Sequence, residues 1–209
     1  MKRLTIALLA AGLALSGCST DGTSGGFGYG GYSLVRARST SIGDGSMAVT
    51  PPREWNKVST VWAIDDIRVV EDWTLNGPYL DSISFVTGLK EGRYIIRQNR
   101  RDFQQVPKFR ADMTAPEITA MLESFYRVKA GAVEVKTTSL KPRPLMGYPG
   151  FQWDYDHLDQ DEVWRRGRVV GAVVGGRLYL ILLDGARMHY FDNALPDFEA
   201  VVNSARFRR

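Results

Sequence analysis

Two apolar runs, Val169-Val170-Gly171-Ala172-Val173-Val174 and Leu178-Tyr179-Leu180-Ile181-Leu182-Leu183, stand on either side of Gly175-Gly176. Paired glycines accept the positive φ of a tight primed turn, so residues 167–184 predict a β-hairpin. The second run lacks the polar alternation of a strand with one wet face, so something must cover both of its faces. The hairpin lies inside an organising stretch, residues 151–207, that reads as strand, turn, strand, turn, strand and closing helix. For that helix Leu195, Phe198, Val201 or Val202, and Ala205 recur at helical spacing, with Asp192 or Asn193 as N-cap and Pro196 in the first turn.

The first strand of the stretch alternates Phe151, Trp153 and Tyr155 with Gln152, Asp154 and Asp156. A turn centred on Asp159-Gln160 would set Asp154 opposite Arg165 and Tyr155 opposite Trp164. Upstream, Met47-Ala48-Val49 reads as a strand halted by Pro51-Pro52 and followed by Trp55, and residues 67–75 and 80–87 form a second hairpin across Asn76-Gly77-Pro78. Residues 99–113 show no lasting period and carry Arg100, Arg101, Lys108 and Arg110, as a basic excursion over the surface would. Thr114-Ala115-Pro116-Glu117 is a capping box, and Ile118, Met121, Leu122, Phe125 and Val128 make one apolar helix face that Gly131 can end. Residues 133–141 read as a further strand.

At the other end, Lys2-Arg3 precede the apolar residues 4–15, a segment shorter than the ~20 residues a membrane-spanning helix needs. The segment closes on Leu15-Ser16-Gly17-Cys18, which resembles the bacterial lipobox. The resemblance implies cleavage before Cys18, lipid on its thiol and new amino group, and membrane anchoring by several acyl chains. Ser19 follows where an inner-membrane retention aspartate can stand, which implies the periplasmic face of the outer membrane. Residues 18–45 are rich in Gly, Ser and Thr and read as a tether. Gly26, Gly28 and Gly31 mimic the dinucleotide fingerprint, but no strand or helix pattern frames them, so no cofactor is expected. The expected organisation is therefore a leader at 1–17, a tether at 18–45 and one globular domain at 46–209.

The formal charge is +4, and Lys2 and Arg3 in the leader supply two of it. So even a balance gives no long-range field pointing to nucleic acid. One cysteine makes no disulfide framework, and two histidines with no second cysteine make no zinc-type set. Asp154, Asp156, Asp159, Asp161 and Glu162 cluster densely but miss the calcium-loop pattern, with Leu158 and Asp159 where a ligand and a glycine belong. They are better read as a solvated hairpin with arginine partners. No Gly-x-Ser-x-Gly accompanies His157 or His189.

The order of elements, Trp55 after Pro51-Pro52, and the closing run through Tyr179 and Phe191 to Asn203-Ser204-Ala205-Arg206-Phe207 resemble the PsbP-like family of photosystem-II extrinsic subunits and bacterial lipoproteins. The resemblance implies an α+β fold, an antiparallel β-sheet with helices on both faces, in proteins that bind or assist assembly more often than they catalyse. The expected protein is a lipid-anchored envelope component that binds an envelope protein or small ligand without catalysis, no catalytic or metal residue being assigned. Trp153, Trp164, Arg165 and Arg166 are the candidate partner surface. The rival from another class is a lipid-anchored hydrolase whose Ser/His/Asp site is assembled from distant residues.

Overall fold

The computed structural model describes residues 29–60, 70–96, 105–128 and 131–208. In chain order its elements are β1 (Tyr29–Val35), β2 (Thr40–Ile42), β3 (Met47–Val49), β4 (Trp55–Thr60), β5 (Val70–Thr74), β6 (Asp81–Lys90), α1 (Ala115–Val128), β7 (Ala132–Pro142), β8 (Phe151–Asp159), β9 (Trp164–Val174), β10 (Arg177–Ala186), α2 (Tyr190–Ser204) and β11 (Arg206–Phe207). One sheet has eight strands in the order β1-β4-β5-β6-β10-β9-β8-β7, every paired neighbour antiparallel. A small sheet has the order β11-β3-β2. Neither described helix is long and apolar enough to cross a membrane.

The hairpin β9–β10 runs in register from Arg177↔Val174 to Ala186↔Arg165, and Gly175 and Gly176 turn it at φ of 57° and 72°. β10 lies between β9 and β6, and its residues 178–183 are all buried. Leu178, Leu180 and Leu182 join Trp153, Tyr155 and Val169 in a core completed by Ile118, Met121, Leu122 and Tyr126 of α1. Tyr179, Ile181 and Leu183 join Trp73, Phe85 and Val170 in a second core with Phe191, Ala194, Phe198, Val201 and Val202 of α2. Successive strand residues point to opposite faces, so a fully apolar run is what two separate cores demand of one strand.

α1 starts where the capping box places it. Glu117 Oε2 accepts hydrogen bonds from the Thr114 amide at 2.7 Å and the Thr114 hydroxyl at 2.8 Å, and Gly131 follows the helix with φ of 81°. Before it, the expected surface excursion is pinned down: Val106, Phe109 and Met113 are buried in the core of α1, and Phe109 exchanges backbone bonds with residues 92 and 93. Arg100 and Arg101 lie outside the described residues.

Three further expectations are corrected. The first concerns the tether, because residues from 29 onward are already folded: β1 pairs with β4, β2 pairs with β3, and Val35 and Ile42 are buried in the core of α2. Glycine and serine dominate the composition there, yet isolated apolar residues suffice once a neighbouring strand supplies backbone partners. Secondly, α2 begins at Tyr190 with His189 as N-cap (φ 84°), so neither Asp192 nor Asn193 caps it and Pro196 sits well inside it. The earlier start buries Phe191 against Gly185, and this packing outweighs the missing side-chain cap.

The third is the β8–β9 register. Asp154 faces Arg168 and Tyr155 faces Gly167, while Trp164 and Arg165 face Leu158 and His157. A wider turn sets this register: the Glu162 amide bonds Asp159 O, the Asp161 carboxylate accepts from the Val163 amide, and Glu162 takes φ of 61°. The shift also lets the Tyr155 ring lie directly on Gly167, where a Cβ would come within 1.9 Å of Tyr155 Cζ. Any side chain at 167 would displace that ring.

Phe198 is fully buried among sheet residues at the centre of the α2 core. Phe198→Ala is expected to destabilise the fold by about 3–5 kcal/mol through lost transfer energy and the cavity left behind. Urea unfolding checks it; an unchanged midpoint would mean that α2 does not hold the sheet.

Candidate functional site

The polar heart of the molecule lies where β8, β9 and β10 meet the C-terminal half of α1. His157 on β8 is only 2% exposed. Its Nδ1 is 2.7 Å from Asp159 Oδ1 and its Nε2 is 2.9 Å from Asp184 Oδ2. Both ring nitrogens thus face carboxylates, and only the imidazolium donates to both at once. Burial opposes that charge, but the Asp184 charge and the hydrogen bonds to Asp159 and Asp184 outweigh it and raise the His157 pKa to about 9.

The network extends in two directions. Tyr155 donates its hydroxyl to Asp184 Oδ2 at 3.2 Å and hydrogen-bonds the Tyr126 hydroxyl, so helix α1 is tied to the same carboxylate. Burial first, and the Asp184 charge with it, hold both phenols well above their ordinary pKa. On the other side Arg165 places Nε 3.2 Å from Asp159 Oδ2 and Nη2 2.9 Å from Asp161 Oδ2, while its buried Nη1 has no hydrogen-bond partner among the described residues. Around His157 the rings pack closely: Trp153 and Tyr155 stack 4.0 Å apart at 17°, and Tyr126 is tilted at 44° with its centroid 4.9 Å from the imidazole.

The opposite face of the same strands carries a charge ladder. Arg168 reaches Asp154 at 2.7 Å and Glu199 of α2 at 2.8 Å, Arg166 reaches Asp156 at 3.0 Å, and Arg143 reaches Glu199 at 2.5 Å and Gln152 at 2.9 Å. Burial pushes the Glu199 carboxyl up, but the bonds from Arg143 and Arg168 hold it below its ordinary value. The acid cluster 154–161 is therefore spent on arginine and histidine. Among the described residues no group of three or more His, Cys, Asp or Glu is placed to hold a metal ion.

No protein-family profile matches the sequence, and no curated protein does. Among solved structures the chain is similar to cyanobacterial PsbP (CyanoP) from Synechocystis, with a TM-score of 0.51 and 16% identity over 90% of this chain and 98% of that one. The fold is PsbP-like. It is an α+β fold, mostly antiparallel sheet with two described helices, and an identity this low speaks for the fold alone. Looser likenesses to a Bacteroides thetaiotaomicron protein (TM-score 0.47, 6% identity, 84% of this chain and 50% of that one) and to LpqN of Mycobacterium tuberculosis (0.32, 9%, 85% and 86%) carry no argument.

Within this PsbP-like frame the expected partner surface does not assemble. Trp153 is fully buried, its indole N–H donating to the Thr137 hydroxyl at 2.9 Å, and Arg165 is 7% exposed, because both point into the core of α1. Trp164 and Arg166 are half-buried. Arg187 lies over the Trp164 ring at 5.9 Å, and Arg166 lies over Phe191 at 5.7 Å. His189 is exposed at the start of α2, and Cys18 lies outside the described residues. Sequence reading missed the role of Asp184, Tyr126 and Asp159 around His157; the sole signal was Asp184 closing an otherwise apolar strand.

A histidine whose folded pKa of about 9 exceeds its ordinary 6.5 stabilises the fold fully below about pH 6.5, and that contribution disappears as pH rises through about 9. Stability is expected to fall across this window by on the order of 3 kcal/mol. Asp184→Asn removes the largest raising influence and should move the decline to lower pH. Urea midpoints measured from pH 6 to 10 check both; a flat profile for the unaltered chain would mean that His157 is neutral.

Proposed function

We propose that this protein is a lipid-anchored component of the bacterial cell envelope, held at the periplasmic face of the outer membrane through Cys18, and that it binds a partner rather than catalysing a reaction. The single observation that carries the binding reading is the double capture of His157. A general base needs a free lone pair within reach of a substrate proton. Here Asp159 and Asp184 occupy both nitrogens, Asp184 Oδ2 also takes the Tyr155 hydroxyl, and the ring is buried. Such an arrangement serves as a clamp joining β8, β10 and, through Tyr126, α1.

The layering that goes with this reading is one helix on each face of the sheet, and the allocation of α1 and α2 to separate cores supports it. The likeness to CyanoP supports the fold on which an assembly role would rest, and the leader ending in Leu15-Ser16-Gly17-Cys18 supports the anchor. A hydrolase whose Ser/His/Asp site is built on His157 is disfavoured because the described partners of that residue are carboxylates at both nitrogens.

Cys18→Ser is expected to abolish lipid labelling and salt-resistant membrane fractionation in the producing bacterium while leaving the folded part intact. Membrane retention of that variant that survives a high-salt wash would overturn the anchor. His157→Gln should lower protein abundance in step with its stability, with function retained at matched abundance. Loss of the envelope phenotype at unchanged stability and abundance would replace the binding reading with a catalytic one.

A further inference from the structure

Arg165, Arg166 and Arg168 of β9, and Arg143 and Arg187 just beyond the ends of β7 and β10, each lie within 4.0 Å of a carboxylate. Four exposed arginines on or beside the small sheet, Arg36, Arg38, Arg206 and Arg208, have none among the described residues. Arg206 donates to the Ser39 hydroxyl at 2.6 Å and Arg208 to the Ser41 hydroxyl at 2.9 Å, both neutral acceptors. Arg36 and Arg38 stand immediately before Ser39 in a tight turn in which the Arg38 amide bonds Arg36 O at 2.7 Å. Among the described residues no carboxylate pairs with any of the four. Asp44, the acid nearest along the chain, is taken up by the amide and hydroxyl of Ser46 at 2.9 and 2.6 Å.

The pairing of the small sheet keeps this cluster together. Arg206 and Ser41 both pair with Ala48, from the two sides of β3, so the guanidinium groups at 206 and 208 reach across to successive alternate residues, 39 and 41, of the β2 edge. Like charges held side by side repel, and the serines orient the guanidinium planes without neutralising them. Remaining N–H donors of such planes match phosphate oxygens in a bidentate manner.

We infer that Arg36, Arg38, Arg206 and Arg208 form a docking surface for the phosphate headgroups of an anionic phospholipid bilayer. The choice of a lipid surface rests on the proposed anchoring at Cys18, which stands eleven residues before β1. That length of chain spans at most about 36 Å, whereas β1 with the step to Arg36 spans about 23 Å. The connection is long enough for the Arg36 end of β1 to lie on the same bilayer that holds Cys18. Clustered arginines beside an anionic surface act as the second signal that turns a tether into a fixed orientation.

The test uses the chain from residue 19 onward, which contains every described strand and helix and carries no lipid, co-sedimented with phosphatidylcholine vesicles with and without phosphatidylglycerol. Binding is expected only with phosphatidylglycerol present and should be released by added salt. Arg206→Glu with Arg208→Glu is expected to weaken it roughly tenfold or more. Arg36→Glu with Arg38→Glu should do the same; these residues lie outside every strand, so the result stands even if the first pair disturbs β11. Lys108→Glu, in the segment packed into the core of α1, combined with Lys136→Glu on the exposed β7 edge, should bind as the unaltered chain does. Equal sedimentation with neutral vesicles, undiminished binding by both arginine pairs, or tighter binding to an acidic polypeptide would overturn the assignment. Because this chain lacks Cys18, its failure would be separate from any failure of the anchor in the Cys18→Ser fractionation.

Discussion

Burial of β10 on both faces is the constraint on which the rest of the molecule depends. A strand whose residues 178–183 are all apolar and buried needs cover for the side chains on both of its faces. Leu178, Leu180 and Leu182 share one core with residues of α1 and of the segment before it, and Tyr179, Ile181 and Leu183 share another with residues of α2 and the small sheet. β6 and β9 then occupy both of its edges, so its backbone is satisfied as completely as its side chains. Each neighbour inherits a milder version of the same demand, and the sheet becomes more polar toward β7.

That gradient explains why charges gather at β8 and β9. Their side chains stand at the limits of the two cores, where a polar group is partly desolvated and must find a partner within the protein. Aspartate and arginine on facing strands meet the requirement on the α2 side, and the histidine with its two aspartates meets it on the α1 side. A cluster of acids, a histidine and tyrosines looks like chemistry when read as a list of residues. In place it acts as internal wiring, with one buried donor of Arg165 left over.

The elements that could be read from the sequence are those governed by neighbours along the chain. Gly175-Gly176 specifies its own turn, Thr114 and Glu117 specify their own helix start, and the apolar run of β10 states its own burial. What escaped were features set by residues distant in the chain. The β8–β9 register follows from the fit of Tyr155 on Gly167 and from a turn with Glu162 left-handed, a conformation a glutamate does not advertise. The start of α2 follows from Phe191 meeting Gly185, and β1 and β2 exist because β4 and β3 offer them backbone partners. Trp153 and Arg165 read as surface residues because aromatic and basic side chains suit an interface, yet the actual strand phase turns both inward.

Among the described residues the eight-stranded sheet is open, β1 and β7 each having a strand neighbour on one side only. Such edges are templates onto which another molecule can add a strand. Both are irregular here: the register slips between Tyr29 and Tyr32 on β1, and on β7 between Ala132 and Glu134 and again between Thr137 and Ser139. A slipped register breaks the even spacing of amides and carbonyls along the free side, and Lys136 adds a charge between the two slips of β7. Crowding many copies of the molecule together would therefore not propagate the sheet from one copy to the next. The irregularities that look like flaws in the ladder keep the sheet finite, and they guard against fibre growth without requiring a closed barrel.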